Sequence, residues 1–155
     1  SAAVSGNGQY QVVTYLGPNN TAHCILSSNY GSSWTEILQG LLNQPFNIAI
    51  SGTGQYITIS VFNGTGIQYS NDYGVSFSYL PAGAPDRPTI ATMSYNGQYQ
   101  IVVGNGRSSY YYTSNYGQPW TIKTTTAVLV DCAISGTGKI RHRNRGARGF
   151  RPPPR

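Results

Sequence analysis

The chain has 155 residues, of which 9% are charged, 19 are glycine and 13 are tyrosine. This length is enough for one domain with a buried core, and the composition favours short strands and tight turns over long amphipathic helices. The net charge of +6 is confined to one end, and no apolar run of about 18 residues is present, so no membrane-spanning helix is expected.

Two short motifs recur along the chain. The first begins as Ser5-Gly6-Asn7-Gly8-Gln9-Tyr10 and returns at 51–56, at 94–99 and in part at 135–139, with glycine spacings of 46, 43 and 41 residues. The second reads Ser27-Ser28-Asn29-Tyr30-Gly31-Ser32-Ser33-Trp34 and returns at 70–77 and 113–120, with glycines 43 residues apart. Two independent motifs that share one period predict a repeat architecture with units the size of a propeller blade.

The middle repeat shows the predicted strands. Four segments with strand character, at 46–51, 56–62, 67–70 and 75–79, are separated by three turn segments rich in Gly and Asn. A single four-stranded sheet cannot cover both of its faces, so the repeats are expected to stack. We therefore predict an all-β chain of three four-stranded antiparallel propeller-type blades, at about 1–42, 43–88 and 89–128, followed by the first strand of a fourth at 129–138.

The second motif fits the pattern [Ser/Thr]-x-[Asp/Asn]-x-Gly-x-x-[Trp/Phe], and it resembles the Asp-box, also called the BNR or sialidase repeat. The resemblance covers roughly residues 1–138, and it implies a β-propeller in which each box is the hairpin turn between the third and fourth strands of a blade. It also implies a structural role on the outer rim for the twelve motif positions. These are Ser27, Asn29, Gly31, Trp34, Ser70, Asp72, Gly74, Phe77, Thr113, Asn115, Gly117 and Trp120.

Elementary chemistry supports a structural role for these positions independently of the resemblance. A short amide or carboxylate at Asn29, Asp72 and Asn115 can accept hydrogen bonds from backbone N–H groups of its own turn. The glycine two residues later suits a left-handed backbone, and the aromatic residue is expected to anchor the hairpin against the sheet. Because two of the three boxes carry the neutral Asn, no metal site is predicted there.

The residues needed for sialidase chemistry are not all present in the repeat region. Sialidases of this fold hold the substrate carboxylate with three arginines and use a Tyr nucleophile with a Glu partner and an Asp acid/base. Residues 1–138 offer only Arg87, Arg107 and a single glutamate, Glu36. His23 stands alone in a strand, which is more typical of a packed histidine than of a catalytic base. We expect no enzymatic activity, no catalytic residues and no cofactor.

Two cysteines, Cys24 and Cys132, lie in apolar strand-like segments. They are too few for a disulfide framework. Buried free thiols are the favoured interpretation, with a disulfide between them as the alternative.

The pattern stops within the fourth repeat. Residues 139–155 hold seven of the ten Lys and Arg residues, together with Gly and Pro, and they are expected to be disordered. One interpretation is an arm that binds RNA or a membrane surface, resembling Arg/Gly-rich segments. The other, which the abrupt change favours, is an artefact such as a frameshift.

The favoured function is a non-enzymatic binding or scaffold module for glycans or protein partners, with ligand-binding residues that the sequence does not identify. Tyrosines cluster near the turns, at Tyr30, Tyr73, Tyr116 and 110–112, although strand tyrosines also pack between blades. The tripeptides at 19–21 and 63–65 match the N-glycosylation sequon, which fits an extracellular protein. The alternatives are nucleic-acid binding through the basic tail and a degenerate fragment of a sialidase-like glycoside hydrolase. Because rings typically have 4 to 8 blades, a homo-oligomer or a longer parent chain is also expected.

Overall fold

The structure is a computed structural model that describes residues 1–18, 21–41, 45–61, 66–79, 88–104 and 108–144. These residues form fourteen β-strands, and none of them lies in a helix long and apolar enough to cross a membrane. The strands are β1 (Ala2–Val4), β2 (Gln11–Leu16), β3 (Ala22–Ser27), β4 (Thr35–Leu41), β5 (Pro45–Ile50), β6 (Ile57–Val61), β7 (Ile67–Ser70), β8 (Ser78–Tyr79), β9 (Pro88–Met93), β10 (Gln100–Gly104), β11 (Ser109–Thr113), β12 (Thr121–Thr124), β13 (Leu129–Ile134) and β14 (Ile140–Asn144).

The strands form three four-stranded sheets and one two-stranded sheet, each antiparallel and each ordered as in the chain. We call the sheets blade 1 (β1–β4), blade 2 (β5–β8), blade 3 (β9–β12) and the half-blade (β13–β14). The first strands of successive blades, β1, β5, β9 and β13, lie next to one another. The predicted fold class, three propeller-type blades of four antiparallel strands, is confirmed.

The half-blade extends further than the sequence indicated. The basic tail was predicted to begin at 139, but β14 pairs with β13 in a register that joins Ile134 to Ile140 and Ala133 to Arg141. The turn before it closes as in the other repeats, since the Gly138 N–H donates to the Ser135 carbonyl at 3.0 Å. The motif therefore directs a hairpin even where the following strand is basic, and residues 145–155 lie outside the described residues.

The hydrophobic core lies between the blades. One cluster joins Val12 and Leu26 of blade 1 to Ile57 and Ile59 of blade 2. A second joins blade 2 to blade 3 through Ile67, Tyr69, Ala91, Val102 and Tyr111, and a third joins blade 3 to the half-blade through Ile101, Val103, Leu129 and Cys132. Each sheet is thus stabilised by its neighbours, as expected for stacked repeats.

Burial along the second strand of each blade follows from this stacking. All residues of β6 and β10 are buried, because blades 2 and 3 have a neighbour on both faces. In β2 buried and partly buried residues alternate from Gln11 to Thr14, as in a sheet with one covered face. Blade 1 therefore has one packed face and one open face among the described residues.

Both cysteines are free and buried, as the favoured interpretation predicted. Burial raises the pKa of the Cys24 thiol to about 12, and burial together with the Asp131 carboxylate raises the pKa of Cys132 to about 12. Since the thiolate is the nucleophile, both thiols should react with a disulfide reagent at pH 8 at least ~1000-fold more slowly in the native protein than after unfolding. Rapid titration of either thiol in the native protein would contradict this burial.

Candidate functional site

The first motif forms the turn between the first and second strands of each blade. In the first copy the Ser5 hydroxyl accepts a hydrogen bond from the Tyr10 N–H at 2.9 Å, and the Gly8 N–H donates to the Ser5 carbonyl at 2.9 Å. The same serine hydroxyl bond closes the other three copies, at 3.0 Å in each. The glycine at the fourth position of each copy has positive φ, between 77° and 82°. The turn at residues 5–10 therefore recurs at 51–56, at 94–99 and, one residue shorter, at 135–139.

The second motif forms the turn between the third and fourth strands. In blade 2 the Gly74 N–H donates to the Ser70 hydroxyl at 2.9 Å, and the Ser70 hydroxyl donates to Asp72 Oδ1 at 2.7 Å. The Ser76 N–H donates to the same oxygen at 3.0 Å. In blade 1 Ser27, Asn29, Gly31 and Ser33 make the equivalent bonds. The polar residues of these box turns thus bond to their own loops.

The third box turn cannot make one of these bonds, for a reason visible in the sequence. Pro119 stands where Ser33 and Ser76 donate their backbone N–H groups, and proline has no N–H to donate. The turn still closes through the Gln118 N–H, which donates to the Asn115 carbonyl at 3.0 Å, and Thr113 Oγ1 accepts from the Asn115 N–H at 3.2 Å.

Two of the three aromatic residues of the boxes pack between blades. Phe77 joins the cluster between blades 1 and 2, and Trp120 joins the one between blades 2 and 3, where its ring centroid lies 6.4 Å from that of Tyr69. Trp34 is 40% exposed in the described structure. The anchor role expected for these residues therefore includes contact with the neighbouring blade where such a blade is present.

Asp72 is the one charged residue in the three box turns. The Ser76 hydroxyl, at 2.6 Å, and the Ser76 N–H stabilise the carboxylate and lower its pKa below the ordinary value of 3.8. A group with a lowered folded-state pKa contributes stability above its unfolded pKa, and that contribution is lost as pH falls through the folded pKa.

We predict that Asp72→Asn removes part of the acid sensitivity of folding. Since Asn occupies the same place in boxes 1 and 3, the free energy of unfolding at pH 7 should change by less than about 1 kcal/mol. Below about pH 4 the wild type should lose stability faster than the variant. Urea unfolding at pH 7, 4 and 3 measures both, and parallel pH profiles would contradict the assignment.

Three tyrosines hold a backbone conformation that the sequence did not reveal. Tyr30, Tyr73 and Tyr116 have φ of 61°, 62° and 56°, and each precedes the box glycine, which also has positive φ. Two successive left-handed residues give the turn that matches strand twist in hairpins, usually with Asn or Asp at the first place. Each tyrosine N–H donates to the carbonyl of Gln9, Gln55 or Gln98 in the first turn of its own blade, at 3.0 to 3.1 Å.

Those bonds place both turns of each blade at the same end of the sheet. We call this end the turn face, defined by the first turns (5–10, 51–56 and 94–99) and the box turns (27–34, 70–77 and 113–120). Its exposed aromatic side chains are Tyr30, Trp34, Tyr73, Tyr95 and Tyr116.

Tyrosines of the first turns connect one blade to the next. The Tyr10 ring lies against Gly54 and its centroid is 5.0 Å from that of Tyr73, and Tyr56 packs in the same way on Gly97 and Tyr116. Tyr99 lies against Gly138 of the half-blade. A Cβ atom at any of these three glycines would collide with the ring, so the close approach requires glycine there.

Tyr95 lies across the turns of two other blades. It stands where the other copies of the motif have Gly6, Gly52 and Gly136, and its ring lies against both Gly6 and Gly52. Backbone bonds join the same turns, from Gly6 N–H to the Gly52 carbonyl at 2.9 Å and from Gly52 N–H to the Tyr95 carbonyl at 2.6 Å. With 67% of its surface exposed, Tyr95 is the most exposed aromatic residue of this face. Alignment of the repeats could have singled it out as the one exception to glycine.

Outside the turn face, His23 forms a small polar cluster on blade 1. Its Nδ1 pairs with Glu36, its Nε2 lies 3.1 Å from the Thr21 hydroxyl, and its ring stacks on Tyr15 with centroids 5.0 Å apart. The Thr21 hydroxyl also donates to the Pro18 carbonyl at 2.9 Å. His23 therefore has the partners of a packed histidine, as the sequence interpretation favoured.

The other predicted candidates are not brought together within the described residues. No group of three or more His, Cys, Asp or Glu side chains there could hold a metal ion. Arg87, Arg107 and the tail arginines from Arg145 onward lie outside the described part of the chain, as do Asn19, Asn20 and residues 63–65 of the two sequons.

No family model matches the chain, and no curated protein matches it. Among solved structures it is similar to TolB from Acinetobacter baumannii, with a TM-score of 0.70 and 13% identity over 96% of this chain and 38% of that chain. It is also similar to YCF48 bound to D1 peptide (TM-score 0.57, 15% identity, 88% of this chain and 45% of that chain). A third structure is the GH74 enzyme of Niastella koreensis (TM-score 0.60, 15% identity, 84% of this chain and 20% of that chain).

These three are β-propeller proteins, and at such identities the likeness shows the fold alone. The chain spans less than half the length of each. The fold described here therefore corresponds to part of a β-propeller.

Proposed function

We propose that the chain is a non-catalytic binding module that recognises a protein partner through its turn face. The observation that carries this proposal is the set of exposed tyrosines, of which Tyr73 and Tyr116 are fixed by backbone hydrogen bonds and left-handed turns. Rigid tyrosines lose little conformational entropy on binding, and they combine apolar contact with a hydroxyl group, as in antibody paratopes.

The ring geometry favours a protein over a glycan. Sugar recognition by stacking needs an open ring face, but Tyr73 and Tyr116 each have a neighbouring tyrosine ring at 5.0 Å. Their exposed edges and hydroxyls suit side-chain and backbone contacts. Support of a general kind comes from the similar fold of YCF48, which was solved bound to a D1 peptide.

We also infer that the box turns are Asp-boxes with a structural role. Support comes from the amide or carboxylate of Asn29 and Asp72, which accepts backbone bonds within its own turn, and from the repeated serine–glycine bond. The absence of catalysis is part of the same proposal, because Glu36, the glutamate that a sialidase mechanism would need, is paired with His23.

Selection from a random-peptide phage library on the immobilised chain tests the proposal. Tyr95→Gly is the informative variant, because it introduces the residue found at Gly6 and Gly52 and removes the most exposed aromatic ring of the turn face. Peptides selected on the wild type should bind the variant at least ~10-fold more weakly, the scale of an aromatic contact in an interface. Tyr79→Ala, on the exposed outer strand β8, is the matched control and should bind as the wild type does.

Two results would contradict the proposal. One is equal peptide affinity for the wild type and Tyr95→Gly. The other is selective binding to a glycan array by a chain from which no peptide can be selected.

A further inference from the structure

The outer face of blade 1 carries the same residue types that blades 2 and 3 use to pack on the preceding blade. Among the described residues, no blade packs on this face. Val13 occupies the place of Ile59 and Val102, which are both fully buried, whereas Val13 is only half-buried. The box glycine shows the same contrast, since Gly31 is partly exposed while its equivalents in blades 2 and 3 are buried.

The aromatic positions repeat this contrast. Tyr30 is 64% exposed, against 39% for Tyr73 and 38% for Tyr116. At Gly8 only the ring of Tyr30 reaches within 4 Å of where a Cβ would lie, whereas the equivalent glycines of the following repeats carry a tyrosine from the preceding blade. We call this surface the open face, defined by Gly8, Gln11, Val13, Tyr30, Gly31 and Trp34.

The side chain of Gln11 indicates which kind of residue a partner must place against the open face. In blade 3 the equivalent Gln100 donates to the Gly97 carbonyl at 2.9 Å and accepts from the Thr58 hydroxyl of blade 2 at 2.6 Å. Gln11 makes the first of these bonds, to the Gly8 carbonyl at 3.1 Å. Within the described residues nothing donates to its side-chain oxygen.

We propose that the open face seats a further blade of the same repeat, one that carries tyrosine over Gly8 and a hydroxyl residue two positions later. Tyr56 and Thr58 are such a pair, and blade 2 presents them to blade 3. The half-blade of a second copy does not match. Its turn is one residue shorter, so Lys139 donates to the turn serine as Tyr56 does, and Arg141 takes the register position of Thr58. The open face shares Tyr30 and Trp34 with the turn face, but the proposal does not rest on peptide binding, which is tested at Tyr95.

The direct test is an extended chain with a copy of residues 43–89 placed ahead of Ser1. In that chain the copied Tyr56 precedes Gly8 by the same 41 residues that separate Tyr56 from Gly97. The Gly8 Hα protons should move upfield to match the shift expected for Gly97, which lies beneath the Tyr56 ring. Tyr56→Ala in the added copy should abolish the shift, and Tyr79→Ala in the added copy should leave it unchanged. A folded extended chain with an unshifted Gly8 would overturn the proposal.

The original chain provides a second test that does not depend on the extension folding. Nitration with tetranitromethane should modify Tyr30 several-fold faster than Tyr73 or Tyr116, in a chain that sediments as a monomer. Equal nitration rates for the three tyrosines would contradict an open face on blade 1. A dimer that protects Tyr30 and that Lys139→Glu dissociates would show that the half-blade of a second copy covers this face instead.

Discussion

Gly97→Ala should destabilise the protein by about 2 to 4 kcal/mol, because two effects add at one position. Gly97 has φ of 77°, and a non-glycine residue in a left-handed conformation costs about 1 to 2 kcal/mol. The new methyl group would also displace the Tyr56 ring that packs on this glycine from blade 2, and overpacking of this kind costs about 1 to 3 kcal/mol. Urea unfolding followed by tyrosine and tryptophan fluorescence measures the change.

Gly136→Ala is the matched control. Gly136 lies in the equivalent type of turn, has no heavy atom within 4 Å of its Cβ position and is not among the glycines with positive φ. Its free energy of unfolding should therefore stay within about 0.5 kcal/mol of the wild type. If the two alanine variants were equally stable, packing of tyrosine on glycine would not be what joins these blades.

Gln100→Leu should have the second large effect, a loss of about 2 to 4 kcal/mol. Gln100 is 2% exposed, and its side-chain amide bonds to both the Thr58 hydroxyl and the Gly97 carbonyl. Leucine would leave these two groups without a partner, and each such buried group costs about 1 to 3 kcal/mol. The measurement is again the free energy of unfolding in urea.

A double-mutant cycle separates the hydrogen bond from simple loss of packing. Thr58→Val together with Gln100→Leu should be more stable than the sum of the single changes predicts, because the hydroxyl that leucine leaves unpaired is then absent. Gln55→Leu, at a partly exposed turn position, should be nearly neutral. Strict additivity would contradict a direct bond between Thr58 and Gln100.

The sequence was sufficient to predict the blades because both motifs act locally. Ser5 or Ser51 closes its own turn, and positive φ in Gly8 or Gly54 needs no distant contact. The period of about 43 residues then requires stacking, since each strand pattern produces more apolar surface than one sheet can bury.

Features that depend on contacts between neighbouring blades could not be predicted from the sequence. The motif positions of Tyr56 and Tyr95 differ, but they do not show that Tyr56 packs on the next blade and Tyr95 on the preceding turns. The fourth strand of blade 2 is another example. Residues 75–79 were predicted as a strand, but the box turn continues to Phe77, and only Ser78 and Tyr79 pair with β7.

The half-blade shows how a local motif and the following composition can conflict. The basic residues from Lys139 onward predicted disorder, whereas the turn closed by Ser135 and Gly138 pairs β14 with β13. Backbone pairing does not require apolar side chains on both strands when one face of the hairpin is already packed against blade 3 through Leu129 and Cys132.

The central claim is that successive blades are joined by a tyrosine packed on the turn glycine of the next blade. The most direct measurement is a nuclear Overhauser spectrum of the chain in solution. The account predicts contacts from the rings of Tyr10, Tyr56 and Tyr99 to the Hα protons of Gly54, Gly97 and Gly138, respectively, and none to Gly136. A spectrum in which these rings contact only glycines of their own turns would contradict it.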